Sequence, residues 1–258
     1  KNSKSLNTLR AYKADYKDFG SFCIRNGFKP LPSEPKIITT SHGKWCEFAT
    51  DTISNEVKSF INAKDKCSMM LTGGYTAKQL YQHWAVSKPW NHSKIIYYFG
   101  DERCVPPDHQ DSNYVMVKRS LFPKGTPKGC KVIRMEGELS EREMSARNYE
   151  QMLHESIDIL LFSVGSDGHI ASLFPRSNAL NETKSVVPVV GPKPPSERLT
   201  ITTSVIQSAK STFLFAQGKE KGQILAQALE SPNNIASFPV RLVLGATWIL
   251  DTDAAEQL

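Results

Sequence analysis

Residues 157–175 read IDILLFSVGSDGHIASLFP. The first eight, 157–164, form the most apolar strand-like run of the chain. Apolar residues at nearly every position, rather than at alternate ones, mark a strand buried on both faces, the signature of a parallel sheet covered by helices on two sides. In such sheets ligands bind beyond the carboxyl ends of the strands. The residues just past this strand therefore bear on function as well as fold. Gly165, Ser166, Asp167, Gly168 and His169 interrupt the apolar run, and Ile170–Pro175 resume it at once. The glycines permit unusual dihedrals and close backbone approach. Asp167 and His169 are two apart, so a curled loop can turn both into one crevice. A histidine in that setting suits general base chemistry near neutral pH. The plainer alternative is an imidazole satisfied by a backbone carbonyl.

The same alternation of strand and helix continues on either side. KIITT (36–40) reads as a short strand, 46–62 as a helix, and CSMMLT (67–72) as a buried strand leading through Gly73-Gly74 into a helix over QLYQHW. KIIYYFG (94–100) is strand-like, and 138–153 is a helix with Ser140 and Glu143 as a capping box. VVPVV and RLTITT lie within 184–203. STFLFAQ (211–217) is a strand and KEKGQILAQAL a helix. VRLVL (240–244) and a closing helix over ATWILDTDAAEQ complete the chain. The expected architecture is a three-layer α/β/α domain around a mainly parallel sheet.

Residues 3–26 differ in kind. Leu6, Leu9, Tyr12, Tyr16 and Phe19 recur at helical spacing, Gly27 stops the pattern, and KPLPSEP (29–35) breaks it. The boundary falls near residue 36, giving a basic N-terminal segment (1–36) and an α/β domain (37–258). The net charge of +6 is concentrated there: residues 1–36 hold eight Lys/Arg against three Asp/Glu, and the other 222 residues are nearly balanced. The domain itself thus carries no electrostatic case for nucleic-acid binding. Residues 5–35 weakly resemble the start of a tyrosine-recombinase core-binding domain. The competing reading, an accessory helix packed on the domain, is preferred because one helix cannot bury a DNA-binding core alone.

Five cysteines without a CxxC pair suggest neither a disulfide framework nor a zinc knuckle, and a reducing, cytoplasmic setting is expected. No apolar run reaches the roughly 18 residues of a membrane span, and no secretory signal is visible at the start. HExxH, GxxxxGK[ST] and GxSxG are absent, which argues against a zinc hydrolase, a P-loop enzyme and an α/β-hydrolase.

Four strand exits carry the candidate chemistry. In LTGGYTAKQLY (71–81) paired glycines precede a helix N-terminus, where backbone N–H groups favour phosphate, and Thr76 adds a hydroxyl. A plain turn capped by Thr76 is the alternative. In FGDERCVPPDHQDSN (99–113), Asp101, Glu102 and Arg103 come directly after a strand. The third exit is the Asp167–His169 loop. The fourth comprises Arg198, Lys219 and Lys221, cations of the two types that bind phosphate.

With these residues in view, the chain from about residue 37 to its end resembles the 6-phosphogluconolactonases. LTGGYTAKQLY is similar to that family's SGGSTP-type loop, FGDERCVPPDHQDSNY to its DER-VP-x-SN block, and VGSDGHIASLFP to its GxGxDGHTASLFP block. PPSERLTITTSVIQSAKSTFLFAQGKEK is similar to PPxERITLT…G-x-x-K, and FPVRLV and WILDTDAA also match. The resemblance implies a fold shared with glucosamine-6-phosphate deaminases and ribose-5-phosphate isomerases. It implies hydrolysis of 6-phospho-D-glucono-1,5-lactone to 6-phosphogluconate in the oxidative pentose phosphate pathway, with no metal or cofactor. His169 would be the base and Asp167 its orienter or a substrate ligand. Asp101 and Arg103 would line the sugar end. Arg198, Lys221, Gly74, Tyr75 and Thr76 would hold the phosphate. The small-molecule substrate is the expected partner, nucleic acid and membrane are not, and a monomer is favoured. The nearest competitor is a deaminase or isomerase of the same fold, but that chemistry calls for a carboxylate just before Pro175, where this chain has Phe174. Tyr75 and Ala77 also depart from the loop pattern, exchanging a small hydroxyl for bulk and giving up a helix-starting proline.

Overall fold

The computed structural model describes residues 34–258 apart from 155 and 232–233. The helix expected over 3–26 lies outside the described residues, as does any DNA-binding role for it.

Ten strands and seven α-helices are described. The strands are β1 (Lys36–Thr40), β2 (Cys67–Leu71), β3 (Ile95–Phe99), β4 (Asp101–Arg103), β5 (Lys131–Val132), β6 (Ile159–Ser163), β7 (Val186–Val190), β8 (Glu197–Ile201), β9 (Ser211–Ala216) and β10 (Thr247–Asp251). The helices are α1 (Trp45–Lys64), α2 (Tyr75–Ser87), α3 (Asn113–Leu121), α4 (Arg142–Met152), α5 (Thr203–Ser208), α6 (Lys219–Glu230) and α7 (Thr252–Ala255). Seven strands form one sheet in the order β1-β10-β9-β6-β2-β3-β5, and all its pairings are parallel. A second, antiparallel sheet of three strands, β4-β8-β7, stands beside it.

The continuous apolar runs seen in the sequence are two interleaved faces. In β6, Ile159 and Leu161 join a core with α1, α2 and α3, whereas Leu160 and Phe162 join the opposite core. The same split divides Met69 from Met70, Tyr97 from Tyr98, and Phe215 from Leu214. Because successive side chains point to opposite faces, a strand packed on both sides must be apolar throughout. The second core is closed by α4, α5, α6, the small sheet, and Ile170 and Leu173 from the loop after β6. The result is the expected three-layer α/β/α fold.

Three local expectations are corrected. VRLVL is not a strand: Pro239–Val243 is a 3-10 helix, while Thr247–Asp251, expected within the closing helix, is the inner strand β10. The run TWILD, with Trp248, Ile249 and Leu250 all fully buried, fits a two-faced strand better than a helix with one apolar stripe. Only Thr252–Ala255 remains helical, capped by the Asp251 carboxylate, which accepts the Ala254 N–H at 2.9 Å. The Ser140–Glu143 capping box does not form, since α4 begins one turn into that stretch with Glu141 at its N-cap and no side-chain cap. Asp101–Arg103, directly after β3, form the antiparallel strand β4, with Arg103 in register with Arg198 of β8.

Candidate active site

The exits of β2, β6 and β9 converge with one edge of the small sheet on an open pocket of about 310 Å³. Eight of the nine candidate site residues line it: Gly74, Tyr75, Thr76, Asp101, Arg103, His169, Arg198 and Lys221. The ninth, Asp167, stands behind His169. A more open cleft of about 720 Å³ lies on the far side of Phe174, between residues 174–179 and β7. Of the nine it touches only Asp167, so the smaller pocket is where the chemistry gathers.

The loop after β6 folds back on itself. Gly165 N–H donates to the His169 carbonyl at 2.8 Å, and Gly168 N–H donates to the Gly165 carbonyl at 3.1 Å. This closure sets His169 Nδ1 2.5 Å from Asp167 Oδ1, and the same carboxylate oxygen accepts the His169 backbone N–H at 3.2 Å. Burial works to raise the Asp167 carboxyl, but the hydrogen bonds and charge of His169 outweigh it and hold the group at about 2. An ionised carboxylate can only accept, so Nδ1 carries a proton, and in the neutral ring Nε2 is the nitrogen left with a lone pair. The ring is paired through Nδ1 with a carboxylate rather than with a backbone carbonyl, a geometry that suits an oriented base. The ring of Phe174 packs on the imidazole with centroids 4.8 Å apart.

The glycine loop forms the opposite wall. Gly74 is the N-cap of α2, with φ of 101°, a region that favours glycine. No side chain caps the helix, so Thr76 is not a cap and the first N–H groups of α2 are left to the pocket. Tyr75 is 75% exposed at the rim, and its phenol oxygen accepts from Gln79 Nε2 at 3.4 Å.

Cations complete the site. Arg198 is only 8% exposed, with Nε donating to the Pro195 carbonyl at 3.1 Å and Nη2 to the Lys193 carbonyl at 3.4 Å. Its guanidinium lies 5.5 Å from the centre of the Phe174 ring. Burial first, and the Arg103 charge second, lower its pKa. Arg103 donates through Nη1 to the Asp111 carbonyl at 2.6 Å, and its Nε is buried without a partner among the described residues. Burial likewise lowers the pKa of Lys221. Among the described residues none of these three cations stands within ion-pair distance of a carboxylate. Like-charged and unneutralised side chains, one buried and two partly buried, are costly to hold together unless an anion arrives to pair with them.

The three residues of Asp101-Glu102-Arg103 divide their labour by strand alternation. Asp101 faces the pocket, held by Ser172 Oγ at 2.6 Å and Asn113 Nδ2 at 3.0 Å. Glu102 turns the other way and accepts the N–H groups of Asn113 at 2.7 Å and Tyr114 at 2.8 Å, so it neutralises the start of α3 rather than the site. Asn113 lines the pocket as well; it belongs to the same sequence block but is not among the nine candidates.

Two buried tyrosines were not foreseen at all. Tyr81 OH accepts the Thr72 N–H at 3.0 Å and donates to the Thr72 carbonyl at 2.9 Å. Tyr149 does the same for Phe99, at 2.7 and 2.9 Å. Burial raises both phenol pKa values, so each keeps the proton it donates. They pin the backbone at the exits of β2 and β3, just where the glycine loop and the Asp101 strand begin. In sequence they are ordinary apolar-face residues of α2 and α4.

Comparison with known proteins gives a consistent picture. Residues 41–250 match the family described as glucosamine-6-phosphate isomerases/6-phosphogluconolactonase. The chain is 30% identical over 242 residues to the 6-phosphogluconolactonase of a Nostoc species, covering 88% of this chain and 96% of that protein. A 6-phosphogluconolactonase structure from Shewanella baltica superposes with a TM-score of 0.77 at 24% identity, covering 84% of this chain and 97% of the other. A monomeric glucosamine-6-phosphate deaminase superposes with a TM-score of 0.73 at 20% identity, covering 86% and 100%. The fold is thus common to both chemistries and does not separate them.

Proposed function

Since the chain belongs to the glucosamine-6-phosphate isomerase/6-phosphogluconolactonase family, we propose that its pocket hydrolyses 6-phospho-D-glucono-1,5-lactone to 6-phosphogluconate, the second step of the oxidative pentose phosphate pathway. The observation that carries this reading is one pocket holding both a carboxylate-oriented imidazole and three cations without a carboxylate partner.

The phosphate sits at the N-terminus of α2, on the N–H groups beyond Gly74, with Arg198 and Lys221 supplying charge. Arg103, expected at the sugar end, lies in register with Arg198 and adds its field to the same wall. Asp101, fixed by Ser172 and Asn113, accepts from the hydroxyls of the sugar-derived ring. The lactone carbonyl lies before His169. Nε2 takes a proton from water as the water oxygen bonds to the carbonyl carbon. The tetrahedral oxyanion forms in the field of the cations. It collapses by breaking the bond to the ring oxygen, which takes the proton back from the imidazolium. A δ-lactone is an activated ester, so a placed water and a base suffice, and neither a covalent nucleophile nor a metal is required.

Phe174 supports the lactonase over the deaminase chemistry. Its ring occupies the place next to the imidazole where ring opening calls for a carboxylate. The deciding assay supplies the purified protein with fresh lactone. Acid release well above the spontaneous rate is expected. No acceleration, with ammonia released from glucosamine 6-phosphate instead, would reverse the assignment. A cytoplasmic setting fits the four described cysteines, Cys46, Cys67, Cys104 and Cys130, all of which are free thiols.

Arg198→Ala tests the anion site separately from the base. Charge-assisted hydrogen bonds to phosphate act on ground and transition state alike, so KM should rise about 10- to 100-fold with kcat much less affected. Steady-state kinetics on the variant read this directly. A fall in kcat at unchanged KM would instead place Arg198 at the reacting carbonyl.

A further inference from the structure

We propose that the Ser163 hydroxyl is an additional ligand for the phosphate of the substrate, donated from the end of β6 across to the glycine loop. The inference rests on the lactonase reading above and extends it to a residue outside the nine candidates.

Ser163 is the last residue of β6 and lines the pocket. Its alternation partners Ile159 and Leu161 point to the face covered by α1 and α2, so its side chain also points to that face, one step beyond the apolar core and level with the start of α2. The backbone there is pinned, with Ser163 N–H directed to Thr72 Oγ1 at 3.3 Å and β6 in register with β9 at Ser163 and Phe215. The side chain is not. Its Oγ is buried and has no hydrogen-bond partner among the described residues.

A buried hydroxyl left unpaired is unfavourable, and where one persists in a pocket wall a ligand is the natural partner. The neighbouring backbone indicates which part of a ligand that is. A Cβ built on Gly74 would lie 3.8 Å from both Cβ and Oγ of Ser163. Gly74 has no Cβ, so the space above it is open to a ligand and lies within reach of the hydroxyl. That space is also where the uncapped N–H groups of α2 begin. An anion seated there meets the helix N-terminus from one side and Ser163 from the other. The hydroxyl thereby restores to this wall the small donor that Tyr75, whose side chain extends to the exposed rim, does not provide.

The test compares wild type with Ser163→Ala and Ser163→Gly, using inorganic phosphate and 6-phosphogluconate as calorimetric probes, unphosphorylated gluconate as the control, and lactone kinetics. Both variants should bind phosphate and 6-phosphogluconate about 3- to 10-fold more weakly. KM should rise by the same factor at nearly constant kcat, and gluconate affinity should not change. Unaltered phosphate affinity in Ser163→Ala would overturn the proposal, as would a loss confined to Ser163→Gly, which would assign the residue to packing. Wild type that turns over lactone but binds no phosphate would overturn the Ser163 assignment alone. Wild type that does neither would remove the lactonase reading and this inference with it.

Discussion

His169→Ala is expected to lower kcat for lactone hydrolysis by about 10²–10⁴-fold, the usual contribution of a positioned general base, while inorganic phosphate binds as in wild type. The separation arises from the layout of the pocket. The imidazole takes its orientation from Asp167 on the loop after β6, whereas the proposed phosphate ligands other than Ser163 come from the start of α2, from β8 and from α6. No hydrogen bond joins His169 to Arg198 or Lys221 among the described residues, and the Phe174 ring packs against both the imidazole and the Arg198 guanidinium. Removing the imidazole leaves the cationic wall intact, so the substrate still docks and the water beside it lacks a proton acceptor. Initial rates on fresh lactone, corrected for spontaneous hydrolysis, give kcat, and calorimetry with phosphate gives the binding term. Full turnover in the variant would mean that another group, or the solvent alone, activates the water. Asp167→Asn should fall between wild type and His169→Ala. The amide no longer holds a proton on Nδ1, yet the ring and its Nε2 remain.

How far these assignments could be read from the sequence depended on the range of the interaction. Strand content of the central sheet was legible in β2, β3, β6 and β9, because a strand packed on both faces must be apolar at nearly every position. It was misread at β10, where TWILD runs straight into the short helix Thr252–Ala255, so that strand and helix merged in one apolar-to-polar sweep. The candidate site was legible where a residue of unusual type stands beside a strand end: Asp167 and His169 after β6, Arg198 at the start of β8 and Lys221 in the first turn of α6. It was illegible where function rests on long-range pairing. Nothing local to Arg103 announces that it stands opposite Arg198, far along the chain, since that is set by the pairing of β4 with β8. Tyr81 and Tyr149 read as core residues because their rings are core; only the hydroxyls, aimed at Thr72 and Phe99, belong to the site. Ser163 escapes notice for a similar reason. At the end of an apolar strand it looks like the first residue of a turn, and what marks it out is a buried hydroxyl with no partner among the described residues.

Gly165→Ala should cost about 10²-fold or more in kcat, although the residue carries no functional group and touches no substrate. A Cβ at this position would stand 2.1 Å from His169 Nδ1, 2.2 Å from Cε1 and 2.8 Å from Asp167 Oδ1. Those distances are far inside van der Waals contact, so something must move. The backbone of Gly165 is poorly placed to do so, because its N–H is bonded to the His169 carbonyl and its carbonyl to the Gly168 N–H. The imidazole and carboxylate must yield, which separates the pair that fixes the base. Phosphate affinity should stay within a few-fold of wild type, because Gly74, Arg198 and Lys221 lie on other elements and Ser163 is held in the β6–β9 ladder. That measurement separates a displaced base from a collapsed pocket. A double-mutant cycle sharpens the test. In a His169→Ala background most of the clash is absent, so adding Gly165→Ala should change the residual rate little, and the two effects should be strongly non-additive. Additive losses would mean that the methyl group damages something other than the Asp167–His169 pair. Wild-type kcat in the single variant would mean that the pair tolerates displacement and that its tight geometry is not what activates the water.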